Sequence, residues 1–529
     1  MKKSLAAVLF LVAIVVMLLH LTAGKESLYS DICITQEERQ TLIEGRRKAQ
    51  DALFTRILFN EYELIYDKGG NRLFYSLIEN SDNAYNPYVK CVSEGDDIQL
   101  AIVGNTITKE GIVNGEEFEV LVYNEEEYQS IRLVFTTLPL LSLYYDGEMG
   151  EYDTMQLNMK LFDNRRYATQ RMFEAEGEIR IRGRYSRNFP KDGYRITLYA
   201  DSLGENRREL ETSLLGMRQD GDWLLYAAYN DKEKVRNVFS SNLWKESCAS
   251  NNALGLDNGM EYKYVEVFLN EEYWGLYALG YPIDSKQLQM TDGEYMYKKT
   301  DPYLSELAID YDKEGAVPGY EIKELGTNLE EDWSPLKEYY QTMLNDDADY
   351  SQLRDMVDIQ NSLDIFLFLN MIQGVDHANL RGNNIIHNLY MTNKISREDG
   401  TEVMIYTPWD MDRTWGYGFD AEWIAVSVDQ NVLMQTNIVY LLLEQQDQEM
   451  MNMLVERYNQ LRESTWSDEH LISLTLMYEE QIFNSGAYRR EMERWPEANY
   501  IEEEHRLNLF RSYLLERMKY MDMYIGQYN

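Results

Sequence analysis

The chain has 529 residues, with 90 acidic against 51 basic side chains, a formal net charge of −39 and a hydrophobic share of 44%. That length exceeds one ordinary domain of about 100–200 residues, and the apolar share suffices for a packed core, which excludes wholesale disorder. The negative balance excludes a nucleic-acid binder, because a phosphate backbone demands a basic surface.

Three cysteines occur, Cys33, Cys91 and Cys248, none in a C-x-x-C pair. They exclude a disulfide framework and a thiolate zinc site. The five histidines are scattered, so any metal is expected on carboxylates.

Lys2 and Lys3 precede an uncharged run from Ser4 to Gly24. About 20 apolar residues span a bilayer, and the positive pair would stay on the cytoplasmic side. Residues 1–24 therefore read as a signal anchor. The alternative is a cleaved signal peptide, for which Leu21-Thr22-Ala23 offers only a poor cleavage site. Either places the remainder outside the cytoplasm, membrane-anchored or secreted.

Thr35-Gln36-Glu37-Glu38 fits the S/T-x-x-E capping box. With apolar residues recurring from Leu42 to Ile57, it predicts a helix over 36–58, within a juxtamembrane segment 25–59. Leu64-Ile65-Tyr66 and Leu73-Phe74-Tyr75 flank Asp67-Lys68-Gly69-Gly70-Asn71, a hairpin signal. Strand-like runs at 98–103, 118–123 and 131–135 extend it to a small β-sandwich over 60–138. From residue 139 to 529 the pattern is mixed α and β. Strands are expected at 177–182, 194–199, 264–269, 273–279, 385–390 and 403–406. Helices are expected at 234–248, 330–345, 361–373, 437–462 and 470–483, with a long amphipathic helix over 502–528.

Three segments could carry chemistry. Residues 179–195 hold Arg180, Arg182, Arg184, Arg187, Lys191 and Arg195 against Asp192 alone, a net of +5. A cationic island in an acidic chain suits an anion, and a loop with Gly183 and Ser186 can add backbone N–H groups. The plainer reading is outward arginines paired with surface carboxylates. Pro408-Trp409-Asp410-Met411-Asp412-Arg413 follows a strand. Two carboxylates so placed can share Mg²⁺ with substrate phosphates; the plainer reading is a turn cap and an Asp412–Arg413 pair. Asp376-His377-Ala378-Asn379-Leu380-Arg381-Gly382-Asn383-Asn384 lies between helix and strand. There an aspartate and a following amide can serve as base and metal ligand, although Asp, Asn and Gly are also ordinary turn residues. Tyr297-Lys298-Lys299 ends a strand, where a lysine could reach a phosphate.

Taken in order, these segments resemble the spore coat protein H (CotH) kinase family. The resemblance runs over most of residues 140–525. It shows in Ile181-Arg182-Gly183…Ser186…Pro190-Lys191, Trp223-Leu224-Leu225, Asp231…Arg236-Asn237, Tyr273-Trp274-Gly275-Leu276-Tyr277, Asp376…Asn384 and Pro408-Trp409-Asp410-Met411-Asp412. Tyr488-Arg489…Arg494-Trp495 and Arg517 also fit. Where the family tends to carry a glutamate after the Gly-Leu-Tyr strand, this chain has Gly280-Tyr281-Pro282.

The resemblance implies an α+β, atypical protein-kinase-like domain over 139–529 that transfers phosphate from ATP to Ser/Thr of a protein, with Mg²⁺ or Mn²⁺. It assigns Arg182, Lys191 and Lys298 to the nucleotide, Asp376 and Asp410 to catalysis, and Asp410, Asp412 and Asn384 to the metal. The acidic surface suggests a basic, Ser-rich protein substrate. An inactive surface or spore-coat binding protein on the same fold is the alternative function. A D-x-D also occurs in metal-dependent glycosyltransferases, which require a Rossmann-like start; residues 140–200 read instead as antiparallel hairpins.

Overall fold

The computed structural model describes residues 26–79, 86–93, 98–104, 106–116, 118–200, 207–345, 350–378, 387–396, 400–417, 426–432, 434 and 436–529. The segment expected as an anchor lies outside them. Among the described residues no helix is long and apolar enough to cross a membrane.

The N-terminal module is built from two sheets. One contains Glu26–Leu28, Tyr88–Val92, Arg56–Phe59 and Tyr62–Glu63. The other runs through Cys33–Ile34, Gln99–Val103, Phe118–Tyr123, Glu127–Thr136, Arg72–Ser76 and Ile65–Asp67. Ile57, Phe59 and Val89 of the first meet Leu73, Ile102, Val120 and Ile131 of the second in one core.

The helix expected over 36–58 is corrected. The capping box forms, with Thr35 accepting from Glu38 N, but the helix ends at Ile43. Arg47–Lys48 then pairs alongside Glu127 and Tyr128. In Arg56–Phe59, Ile57 and Phe59 are buried and alternate with half-buried neighbours, a period of two rather than 3.6. The sandwich thus recruits strands from before residue 60.

A seven-stranded closed barrel follows. Its strands are β1 (Leu140–Tyr144), β2 (Thr154–Phe162), β3 (Met172–Arg182), β4 (Gly193–Tyr199), β5 (Asp222–Tyr226), β6 (Tyr262–Leu269) and β7 (Glu272–Gly280). The order is β1-β2-β3-β4-β5-β7-β6, closed where β6 runs parallel to β1. In β4, Tyr194, Ile196 and Leu198 are buried at every second position. β1 to β4 are antiparallel throughout, which removes the Rossmann-like start that the glycosyltransferase reading needs.

The barrel has a seam. β5 pairs with β7 only from Leu224 opposite Gly280 to Tyr226 opposite Ala278. Ala228 then turns into the left-handed region at φ 49°, and the lower half of β7 loses its β5 partner.

Helix α1 (Arg236–Ser247) leads to β6. A second sheet, ordered β9-β8-β10-β11, is fully antiparallel. It comprises β8 (Met296–Lys299), β9 (Tyr320–Glu324), β10 (Leu389–Ile395) and β11 (Glu402–Pro408). The expected strand at 385–390 is therefore placed later, and residues 385 and 386 lie outside the described ones.

Helix α2 (Ile359–Ile372) is buried from Asn361 to Ile372, the pattern of a core helix that is apolar all round. Its N-cap Asp358 accepts from Asn361 N. The Asn361 side chain donates to Tyr406 O and accepts from Tyr406 N, which keys α2 to β11. The expected helix at 437–462 is two helices, Ile438–Glu444 and Gln448–Arg462. Gln446 is left-handed, and Asp447 caps the second by accepting from Met450 N. Helices α3 (Ala487–Arg494) and α4 (Asn508–Gly526) complete the α+β domain, and one apolar cluster joins barrel, second sheet and helices.

Candidate active site

The end of β11 and the end of α2 meet. After Pro408 the chain turns sharply, with Asp410 at φ 54°, a conformation aspartate tolerates better than most residues. Three bonds fix this turn. Trp409 N donates to Asn388 O, His377 Nε2 lies 2.8 Å from Trp409 O, and Met411 N donates to Asn237 Oδ1 of α1. On the other side, α2 stops at left-handed Gln373, and Asp376 follows. Arg517 of α4 donates to Asn370 O, which also accepts from Gln373 N, so α4 braces the end of α2.

Five of the expected site residues share one electrostatic neighbourhood. Burial pushes the Asp410 carboxyl up; Arg182, His387 and Lys298 pull it back, and Asp376 repels it further. Asp412 is pushed well up, by burial first and then by Asp410, with Arg413 opposing. Asp376 behaves differently. Burial alone would raise it, but His387, 3.8 Å away, together with His377 and Arg413 outweighs burial, so it lies below the usual carboxylate range. Asn388 Nδ2 also donates to Asp376, at 2.9 Å. His377 is fully buried and pushed down to about 4 by desolvation. It is therefore neutral at physiological pH, and its Nε2 proton goes to Trp409 O.

Arg182 ends β3, with its guanidinium 5.3 Å over the Trp409 ring. Tyr390 packs against the same ring at 5.6 Å. Lys298 sits on β8, 3.6 Å from Glu321 and a third exposed.

The rest of the cationic island disperses. Arg195 pairs with Asp222, Arg187 lies 3.5 Å from Glu151, and Arg184 donates to Thr300 O. The plainer reading holds for Arg187; Arg195 meets a buried carboxylate and Arg184 a backbone carbonyl. Lys191 goes to the seam. Its ammonium donates to Ala227 O at 2.8 Å, Leu276 O at 2.6 Å and Glu491 Oε1 at 2.7 Å, which uses all three N–H donors. Both ends of the Lys191–Glu491 pair are fully buried. Glu491 also accepts from Leu276 N, so α3 satisfies β7 where β5 has left it. Gly275 makes room for this: a Cβ there would lie 2.3 Å from the Glu491 carboxylate. Lys234, also buried, donates to Ala228 O and Tyr229 O and is pushed down to about 8 by burial, against the pull of Glu491.

Asn384 lies outside the described residues. Among the described residues no group of three or more His, Cys, Asp or Glu side chains is placed to hold a metal alone. Asp410 and Asp412 still fit a divalent cation as a two-carboxylate set. Each is raised by burial and by a neighbouring carboxylate, the condition that an added positive charge relieves.

Sequence reasoning missed His387, Asn388 and Glu491. His387 and Asn388 lie just past the quoted Asp376–Asn384 segment. Glu491 carried no signal, being 300 residues from its lysine.

No curated protein matches the chain. A family model described as CotH kinase protein matches residues 179–521, which spans Arg182, Lys298, Asp376, Asp410 and Asp412. The chain belongs to the CotH kinase family.

Proposed function

We propose that the chain transfers the γ-phosphoryl of ATP to Ser or Thr hydroxyls of an exported protein. The observation that carries this is the convergence of Asp376, Asp410, Asp412, Arg182 and Lys298 from four distant stretches of chain. A divalent cation (Mg²⁺ or Mn²⁺) held by Asp410 and Asp412, with Asn384 as a further ligand, would neutralise charge on the nucleotide phosphates. Arg182 and Lys298 add positive charge on the same side. Asp376, whose carboxyl lies below the usual carboxylate range, orients the substrate hydroxyl and accepts its proton. The hydroxyl oxygen bonds to the γ-phosphorus as the bond to the ADP oxygen breaks. Lys191 ties the β5–β7 seam of the barrel to α3. It would contact a phosphate only by giving up one of its three present acceptors.

A net charge of −39 favours a basic, Ser-rich substrate through electrostatic steering. Labelling of a Lys/Ser-rich protein from radioactive ATP should require Mg²⁺ or Mn²⁺ and weaken as salt rises. Labelling that survives Asp410→Asn would remove Asp410 from the metal role. No labelling together with no metal-dependent nucleotide binding would favour the alternative, a surface or coat binding protein.

A further inference from the structure

The N-terminal sandwich lies outside the family-matched residues, yet its hairpin reaches the kinase domain. Asp67 is 2% exposed. It accepts from Arg72 Nε at 2.8 Å, from Gly70 N at 3.1 Å and, across to β7, from Tyr273 N at 3.1 Å. Arg72 also donates to Glu493 of α3 at 3.2 Å, with its guanidinium 5.5 Å over Phe74 and 5.2 Å over Tyr273. Phe74 stacks on Tyr273 with ring centres 5.3 Å apart. Arg490 of α3 lies 5.8 Å over Phe74 and holds Glu266 through two bonds. Arg489 lies so close to Gly115 of the sandwich that a Cβ there would meet its Nη1 at 1.9 Å. The same short helix carries Glu491, the partner of Lys191.

We propose that Arg72 is a positioning residue. The sandwich holds α3 in the place that sets Glu491 against Lys191, so it is a working part of the enzyme and not a spacer. This rests on the kinase reading above. The physical reason is the length of α3, eight residues, which is too short to be a stable helix without tertiary contacts. Glu491 and Trp495 fix it on the β7 side; Arg72 and Phe74 fix it on the sandwich side. Losing Arg72 removes the link to Glu493 and leaves the Asp67 carboxylate buried without its cation. A shift of about 1 Å in a supporting element is enough to slow a transfer reaction by one to two orders of magnitude.

The test uses the full chain as wild type, Arg72→Met, Arg72→Lys and Glu493→Gln. The readouts are amide hydrogen exchange over 487–494 and 272–280, melting temperature, and steady-state kinetics. Arg72→Met should speed exchange in 487–494 about tenfold and lower kcat about tenfold, with the KM for ATP nearly unchanged. Arg72→Lys, which keeps the charge, should restore both in part. Glu493→Gln is at a half-exposed site that does not threaten folding, and should shift both in the same direction by about twofold. If Arg72→Met fails to fold, Glu493→Gln decides. Wild-type exchange over 487–494 in the variants overturns the proposal, as does a loss of kcat with α3 exchange unchanged. A wild-type chain with no phosphoryl transfer defeats the kinase reading instead, while exchange still tests the coupling.

Discussion

At the barrel seam, Lys191, Lys234 and Glu491 are buried together, and every Lys191 proton has an acceptor. At the end of β11, Asp410 and Asp412 are crowded together, and Asp412 is driven well above its ordinary range. Both clusters place ionisable groups where desolvation is costly. The first is closed by partners supplied from α3 and the strand ends. In the second, burial and the neighbouring carboxylates keep Asp410 and Asp412 raised in spite of Arg182, Lys298 and Arg413. A buried cluster whose donors all have acceptors is a frame; one whose carboxylates stay raised beside cations is a place for a ligand.

This contrast can be broken or sharpened by experiment. The largest effect belongs to the frame. Lys191→Met leaves Glu491 buried and unpaired and should cost about 3–5 kcal/mol of stability by denaturant unfolding. The double change Lys191→Met/Glu491→Gln should recover part of that, and full additivity would show that the pair is not coupled.

At the site, Asp410→Asn preserves a residue tolerant of φ 54° and removes only charge. Phosphate labelling should fall at least about 10²-fold. The melting temperature should hold or rise, because one repelling carboxylate is gone. A marked loss of stability would mean that Asp410 belongs to the frame after all. Mg²⁺ or Mn²⁺ at 100 times its Kd should stabilise the wild type by about 2.7 kcal/mol. The same addition should leave Asp410→Asn nearly unmoved.

The smallest effect is a pH signature of the seam. Lys234 is lowered by burial to about 8 in the fold from an unfolded value near 10.4. Between those values the unfolded chain binds more protons, so stability rises with pH. From pH 8 to 10 the wild type should gain about 2 kcal/mol relative to Lys234→Met. A flat difference across that range would mean that Lys234 is not titrating in isolation.

Much of the fold was legible where a period governs burial. β4 alternates Tyr194, Ile196 and Leu198 inward, and the hairpin pairing Ile65 with Phe74 was marked by its Gly-Gly turn. The segment 36–58 was misread because the capping box is real and only the continuation is not. Nothing in the spacing of Leu53, Phe54 and Ile57 declares that strand pairing takes over. The break at Gln445–Asp447 was hidden because no glycine or proline marks it; a glutamine takes the left-handed turn.

The candidate site divides the same way. Asp376, Asp410 and Asp412 sit in turn-rich segments next to apolar elements, and the chain displays them. Lys191 and Arg182 looked alike, nine residues apart in one basic run. One reaches the Asp410 neighbourhood, and the other is sealed in the frame by a carboxylate that local pattern could not reveal.

The Lys191–Glu491 pair also bears on how the molecule comes into being. Synthesis at about 5–20 residues per second separates the two partners, 300 positions apart, by on the order of tens of seconds. During that interval the barrel strands exist without the helix that fills the β5–β7 seam, and the Lys191 ammonium there lacks its carboxylate. A chain arrested before residue 487 should therefore hold an open, protease-sensitive barrel rather than a shortened native one. Limited proteolysis of stalled chains, cut within β7 until α3 has emerged, would register the moment of closure.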